Sequence, residues 1–332
     1  MDRVPPTHER EVVALTGGIG GAKLALGLKR VLAPQSLTLV ANTGDDFEHL
    51  GLSICPDLDT VLYTLADLAD PEKGWGRRDE TWNFMKALGA LGGPDWFQLG
   101  DADLAIHVER THRLRAGESL TGIMADLGRR LDIGVRLLPM SDDPVRTRVL
   151  SAAGWLDFQD YFVRQRCDPV VMQLQFDGVA QARANPAMLE KLADPHLRAV
   201  VICPSNPLIS IEPILALTGV RRALADTAAP VIAVSPLVGG EAIKGPTAKM
   251  MREMGSAATA AAVADRYNGL LDGYVIDDRD AGDSAGIKVP WVVTNTVMKT
   301  LQERDSLARV VLEFADQLRE MKKSNLKRNA DE

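Results

Sequence analysis

The chain has 332 residues, 46% of them hydrophobic and 25% charged, with a formal net charge of −7. That length can bury a substantial core in one large or two modest domains, and the acid excess argues against a nucleic-acid binder, which carries a basic face. Three scattered cysteines with no C-x-x-C pair suggest neither a disulfide framework nor a zinc site, and no apolar run approaches the ~20 residues of a membrane span.

Residues 1–10, MDRVPPTHER with Glu9 and Arg10 at its end, read as a loose leader without the apolar core of a signal peptide, so a cytoplasmic protein is expected. Val12 to Leu15 is a short apolar run of the kind that forms a buried parallel strand. It breaks into Thr16-Gly17-Gly18-Ile19-Gly20-Gly21, and an amphipathic run from Ala22 to Leu32 follows. Strand, glycine turn and helix together let an anion approach backbone N–H groups and the positive end of a helix dipole. The turn is not a Walker A, because Gly21-Ala22-Lys23-Leu24 stands where Gly-Lys-Ser/Thr is needed. Nor is it the dinucleotide fingerprint, since Lys23 takes the place of the third glycine. The same glycines also serve as a tight structural turn.

A second strand, Leu37 to Ala41, ends in Asn42-Thr43-Gly44-Asp45-Asp46. Pro56-Asp57-Leu58-Asp59-Thr60 then opens a helix. Taken singly, Asp46 suits a turn, and Asp57 or Asp59 suits an N-cap. Taken together, four carboxylates and a glycine bend leave one edge of a sheet, where open α/β sheets bind ligands. From Thr60 to Leu131 the pattern is helical, with helices expected over Glu80–Leu91 and Leu120–Leu131. Trp75 and Trp96 flank loops in this stretch, either as stacking surfaces for a flat ligand or as packing. His107 and His112 lack the spacing of a metal-binding helix face.

Strand signals resume at Gly134–Leu138, followed by the acidic turn Ser141-Asp142-Asp143. Thr147–Leu150 and Trp155–Phe162 read as a hairpin turning at Ala153-Gly154. Arg198–Cys203 is a further strand, and its Pro204-Ser205-Asn206-Pro207 turn can offer N–H groups to a phosphate or a nucleobase edge. Strands at Val231–Val234, Gly273–Ile276 and Val289–Val293 alternate with helices at 247–254, 257–267 and 306–321. Asp277-Asp278-Arg279-Asp280 reads as a solvated loop and Lys322–Glu332 as a solvated tail. The alternation predicts an α/β protein, a three-layer parallel sheet. Its core takes 11–59 and 132–321, a helical insertion takes 60–131, and 1–10 and 322–332 are loose termini.

GGIGGAK, the Asn-Thr-Gly-Asp-Asp run, GLSICPDLDTVLYTL, GWGRRDETWN, DWFQLGDADLA, LPMSDDPV and CPSNPLISIEPIL occur in order over residues 11 to 300. Together they resemble the 2-phospho-L-lactate transferase family of coenzyme F420 biosynthesis. The resemblance implies a Rossmann-like fold, a homodimer, and transfer of a phospho-lactyl or phosphoenolpyruvyl group. The group would move from a guanosine diphosphate carrier to the deazaflavin alcohol Fo, releasing GMP and giving (dehydro-)F420-0. It also implies that Asp59 contacts the deazaflavin, with a second contact in Leu99-Gly100-Asp101-Ala102-Asp103. Many members carry a basic residue where this chain has Ala102.

Attack of an alcohol on a diphosphate builds charge that Mg2+ and fixed N–H donors can stabilise, and Mg2+ prefers one or two carboxylates plus substrate oxygens. Asp45 and Asp59 are therefore the first choices for the metal or for orienting the Fo hydroxyl, with Asp46 and Asp57 close behind. Gly17, Gly18, Gly20, Gly21 and Lys23 would hold the donor diphosphate, with Ser205 and Asn206 beside them. Asp59, Asp101 and Ala102 would face Fo. Which phospho-acid the donor carries stays open. The alternative is a non-catalytic relative that binds a UDP-sugar, but such a protein would lack the GLSICPDLDT and GWGRRDETWN motifs.

Overall fold

The computed structural model describes residues 10–331, the side chains of 323–331 excepted, so nearly all of the expected leader lies outside the described residues. Seven strands form one parallel sheet. In chain order they are β1 (Val12–Thr16), β2 (Leu37–Ala41), β3 (Arg136–Pro139), β4 (Ala199–Ile202), β5 (Val231–Val234), β6 (Gly273–Asp277) and β7 (Trp291–Thr294). Their order across the sheet is β7-β6-β5-β4-β1-β2-β3. Central β1 sets Val12 beside Leu37 of β2 and beside Ala199 of β4. This is the strand order of a doubly wound Rossmann-like sheet extended by one strand.

Side chains alternate across each strand and build two separate cores. Val13, Leu15, Val200, Ile202 and Ala233 face the layer containing Pro186–Leu192 and Val220–Asp226. Val12, Ala14, Leu39, Val201 and Ile232 face the layer built from α1 (Gly18–Val31), α2 (Pro56–Leu65) and the C-terminal helix Leu301–Asp331. Both faces of the central strands are buried, which is why these segments read as unbroken apolar runs.

After α2 come α3 (Asn83–Ala90), α4 (Asp101–Arg115) and α5 (Leu120–Arg130), the last capped by Ser119, whose hydroxyl accepts from the Gly122 amide. The periodicity over 80–131 left α4 unannounced, because its apolar face is interrupted by the buried His107 and Arg110. The helix expected from Glu80 begins three residues later. Asp79 adopts φ +58°, and Glu80 turns away to accept from the amides of Ala102 and Asp103.

Other departures have local causes. A short hairpin, Phe47–His49 with Leu52–Ile54, sits between the acidic turn and α2. The expected hairpin after 146 is a three-stranded antiparallel sheet of Arg146–Ser151, Gly154–Asp157 and Gln173–Asp177. Its middle-sequence strand stops at Asp157, and a helical turn, Asp160–Arg164, takes over. The 277–280 stretch is not a solvated loop. Asp277 binds the amide and hydroxyl of Thr296, and Asp280 accepts from the Gly239 and Gly240 amides, so both are buried. The C-terminal helix starts at Leu301 and runs through the expected tail to Asp331, with no proline or glycine to stop it. Lys322 pairs with Asp272 at 2.7 Å. No helix among the described residues is long and apolar enough to cross a membrane.

The C-terminal helix packs directly on α1 at Gly27, where an added Cβ would meet the backbone carbonyl of Arg304. Gly27→Ala gains about 1 kcal/mol of helix propensity. The clash is with rigid backbone, and overpacking of this kind costs about 1–3 kcal/mol. The expected outcome of thermal unfolding is a net loss of stability, larger for Gly27→Val. A Gly27→Ala protein with a raised melting temperature would contradict the packing described.

Candidate active site

The strand order reverses between β1 and β4, and the loops leaving their carboxyl ends separate there. Such a switch point is where open α/β sheets bind ligands. A cavity of about 710 Å³ occupies it, reached by loops from β1, β2, β4, β5 and β7. The amide of Gly17 donates to Ser205 Oγ at 3.1 Å, tying the first loop to the fourth.

The glycine bend is tighter than a loop. Helix α1 begins at Gly18, so Gly20 and Gly21 lie in its first turn rather than before it. Added Cβ atoms at Gly17, Gly20 and Gly21 would strike the Asp57 carboxylate, the Pro204 carbonyl and the Thr16 and Ser205 hydroxyls. These three glycines therefore make room for neighbouring protein atoms. Gly18 answers a different need, its φ of +63°.

Asn42 is the hub of the acidic floor. Its Nδ2 donates to Asp57 Oδ2 at 2.9 Å and to Asp45 Oδ1 at 3.3 Å, while its Oδ1 accepts from the Gly44 amide. Asp57 Oδ1 accepts from the Gly18 amide at 2.6 Å, so a carboxylate sits at the positive end of α1. Gln159 donates to the Asp45 carbonyl at 3.1 Å. Burial, then the neighbouring Asp57 and Asp46 charges, push the Asp45 carboxyl well above the usual carboxylate range. Burial raises Asp57 to about 6, against the bonds from Asn42 and Gly18.

Asp46 and Asp59 point elsewhere. Asp46 turns from the cavity toward Cys55, and burial raises it to about 7. Its Oδ1 has no hydrogen-bond partner. Asp59 forms a two-pronged ion pair with the fully buried Arg110 of α4. Burial alone would lower the Arg110 pKa, but the Asp59 charge outweighs it and the guanidinium is held charged. His107 bridges Asp59 (Nδ1 to Oδ2, 3.6 Å) and Asp103 (Nε2 to Oδ2, 3.2 Å), and Tyr63 donates to Asp103 Oδ1 at 2.5 Å.

The cavity has two unlike ends. Over the bend stand Lys23, Lys73 and Lys244. Burial, then Arg304 and Lys244, lower the Lys23 pKa. Lys244 Nζ donates to the Lys73 carbonyl at 3.1 Å, and the Lys73 ammonium rests 4.7 Å from the Trp82 ring centroid. Trp75 stands with the lysines, its ring centroid 5.5 Å from Lys73 Nζ, whereas Trp96, Phe97, Phe158 and Phe162 line the rest of the wall, with the Arg164 guanidinium 4.5 Å from the Trp96 ring.

Of the residues singled out in the sequence, the cavity gathers Gly17, Gly18, Gly20, Lys23, Asp45, Asp57, Ser205 and Asn206. Gly21 packs behind them. Asp46, Asp59, Asp101 and Ala102 do not reach the wall. The convergence of carboxylates over the bend is therefore of Asp45 with Asp57, not of Asp45 with Asp59, because Arg110 draws Asp59 to the opposite side of α2. Asp101 caps α3 instead, accepting from the Thr81 hydroxyl and the Phe84 amide, bonds that lower it to about 2. The Ala102 carbonyl accepts from Arg77 at 3.3 Å. Asn42, Gln159, Lys73 and Lys244 escaped the sequence reading. Only Asn42 carried a signal, its place as the first residue beyond a strand. Cys55 and Cys203 are buried thiols whose pKa burial raises, as small core side chains should be.

Residues 12–308 match the family described as 2-phospho-L-lactate transferase CofD. A phosphoenolpyruvate transferase of Streptomyces griseus is 41% identical over 322 residues, covering 93% of this chain and 99% of its own length. A phosphoenolpyruvate transferase of Mycolicibacterium smegmatis is 39% identical over 303 residues, covering 85% and 92%. A crystal structure of a UPF0052-family protein from Bacillus halodurans shares the fold, with a TM-score of 0.62 at 13% identity, over 92% of this chain and 99% of that one. The chain belongs to the 2-phospho-L-lactate transferase CofD family, and is a transferase built on a Rossmann-like sheet.

Proposed function

We propose that this chain transfers a phosphoenolpyruvyl or phospho-lactyl group from a guanosine diphosphate carrier to the deazaflavin alcohol Fo, in the biosynthesis of coenzyme F420. The observation that carries the reading is the polarity of the cavity. Three lysines and two carboxylates flank a helix N-terminus at one end, and four aromatic rings, Trp96, Phe97, Phe158 and Phe162, line the other. The first end suits a diphosphate, and the second suits the flat rings of a deazaflavin. The phosphoenolpyruvate transferases among its relatives favour the enolpyruvyl form of the donor.

In this reaction the acceptor hydroxyl attacks the phosphorus that carries the acid. The bond from that phosphorus to the oxygen of the nucleoside monophosphate breaks, and GMP leaves. Phosphoryl transfer asks the protein mainly to position the groups and to stabilise spreading charge. Lys23, Lys73 and Lys244 meet the diphosphate oxygens. Asp45, on the cavity wall, would orient the acceptor hydroxyl and take its proton.

Asp45 and Asp57 fit Mg2+. They are two buried, mutually repelling carboxylates on a cavity wall, joined by one amide, and Mg2+ binds through one or two carboxylates plus substrate oxygens. Asp57 occupies the N-terminus of α1, so a diphosphate brought there meets a negative charge unless a cation lies between. When bound, Mg2+ would neutralise that charge and polarise the phosphoryl oxygens.

Three outcomes are expected. Asp45→Ala or Asp57→Asn lowers the rate of GMP release with Fo by about 100-fold or more. Mass spectrometry of the product formed from Fo and each guanylylated acid checks both the reaction and the donor, and the absence of any Fo adduct from wild-type protein would remove the reading.

The second outcome concerns pH. The Asp57 and Asp46 carboxyls keep protons in the folded state up to about pH 6 and about pH 7, whereas unfolded carboxyls lose them near 3.8. Between those values the native state binds more protons, so stability of the metal-free protein falls as pH rises from about 4 to about 7. Thermal unfolding in chelator should show a higher melting temperature at pH 5.5 than at pH 7.5. Thirdly, added Mg2+ should raise the melting temperature more at pH 7.5, where protons no longer compete. A Mg2+ effect independent of pH would argue against these carboxylates as its ligands.

A further inference from the structure

We propose that Arg110 is a positioning residue for this transferase, holding the first turn of α2 at the rotation that aims Asp57 into the cavity. The proposal rests on the transferase reading above and deepens it.

Asp57 and Asp59 lie two residues apart in the first turn of α2. At 3.6 residues per turn their side chains leave the helix about 200° apart. The structure uses both directions. Asp57 reaches the Gly18 amide and Asn42 on the cavity side, and Asp59 reaches Arg110 on the α4 side. The turn has no side-chain cap of its own, because Cys55 stands at the N-cap position and its side chain makes no capping hydrogen bond. Leu58, Val61 and Leu62 seat the helix against the core, and the grip on these two carboxylates holds its first turn from either side. A guanidinium fork fixes the orientation of a carboxylate, whereas a point charge does not.

The remaining contacts make Arg110 a rigid anchor. Its side chain is fully buried, and Nη1 also donates to the Ser53 carbonyl at 3.4 Å, tying in the hairpin. The Ser53 amide in turn donates to Thr111 Oγ1 at 2.7 Å. His107, one turn earlier on α4, contacts Asp59 from the same face and is itself held by Asp103.

Stability alone does not account for this arrangement. A buried ion pair is commonly no better than apolar side chains of the same volume. This one also leaves Arg110 Nε and His107 Nδ1 buried without hydrogen-bond partners among the described residues. A buried network that fixes one helix face is what geometric control of Asp57 requires.

The test is Arg110→Lys in the full-length protein, assayed with Fo and the guanylylated donor, with GDP binding measured separately by calorimetry. The bend, the lysines and Ser205 are untouched, so the GDP dissociation constant should stay within about threefold of wild type while kcat falls about 100-fold, the cost of a misplaced catalytic group. Should Arg110→Lys fail to fold, His107→Gln serves in its place. It keeps the Arg110 fork and should lower kcat by about tenfold with GDP binding unchanged. Turnover within about threefold of wild type in the variant assayed overturns the proposal, and so does a parallel loss of GDP affinity and kcat, which marks a merely structural role. Wild-type protein inactive with Fo and every guanylylated donor would instead sink the transferase reading.

Discussion

The bond from the Gly18 amide to Asp57 is the contact on which the site depends. It joins the first turn of α1 to the first turn of α2, so that two helix N-termini converge on one point of the sheet edge. Each contributes a partial positive charge, and Asp57 answers both. The Asn42 amide extends the link to Asp45, and the Ser205 hydroxyl extends it across the switch point through Gly17. Removing the Cβ atoms at 17, 20 and 21 is what lets these four loops approach so closely. The glycines at 17, 20 and 21 are thus required for the packing of protein on protein.

That convergence has an electrostatic cost. Asp45, Asp46 and Asp57 are all buried, and burial is the largest cause of each raised pKa. Arg110 offsets part of the charge from behind, but Asp59 already engages its fork. These carboxylates therefore carry a desolvation cost, to which repulsion from Asp57 and Asp46 adds at Asp45, and protonation relieves it. Buried carboxylates of this kind cost stability, and such local costs concentrate at functional sites.

Much of this was legible beforehand. β1, β2, β4 and β5 lie where unbroken apolar runs put them, because parallel strands covered on both faces have no polar side to blur the pattern. The acidic turn after β2 and the Asp57/Asp59 pair at the start of α2 were visible as well. The direction of each carboxylate was not. Whether Asp57 or Asp59 meets the cavity depends on how α2 is rotated, and that depends on Arg110, which lies 51 residues beyond Asp59 in the chain. The one trace in the sequence is Asp103, His107 and Arg110, spaced i, i+4 and i+7 on a single helical face. Their polarity broke the apolar periodicity that announces a helix, so the residues that matter most to α4 also hid it. Lys73 and Lys244 reach the cavity from irregular loops, where no periodicity exists to reveal direction.

The cavity also bears on a problem that any enzyme moving an activated phosphoryl group must solve, since water competes with the acceptor. A water molecule is as good a nucleophile as a primary alcohol, and far more abundant. Selection for transfer over hydrolysis must come from holding the alcohol in line and keeping water out. With the acceptor proposed above, the aromatic end would answer both needs. Trp96, Phe97, Phe158 and Phe162 present little that water can bind, and flat ring faces fix a flat acceptor more firmly than flexible side chains would. Gln159 joins the two ends. It lies next to Phe158 in the chain, and its amide is bonded to the backbone of Asp45, so the aromatic wall is tied to the carboxylate that would take the acceptor's proton in the proposed reaction.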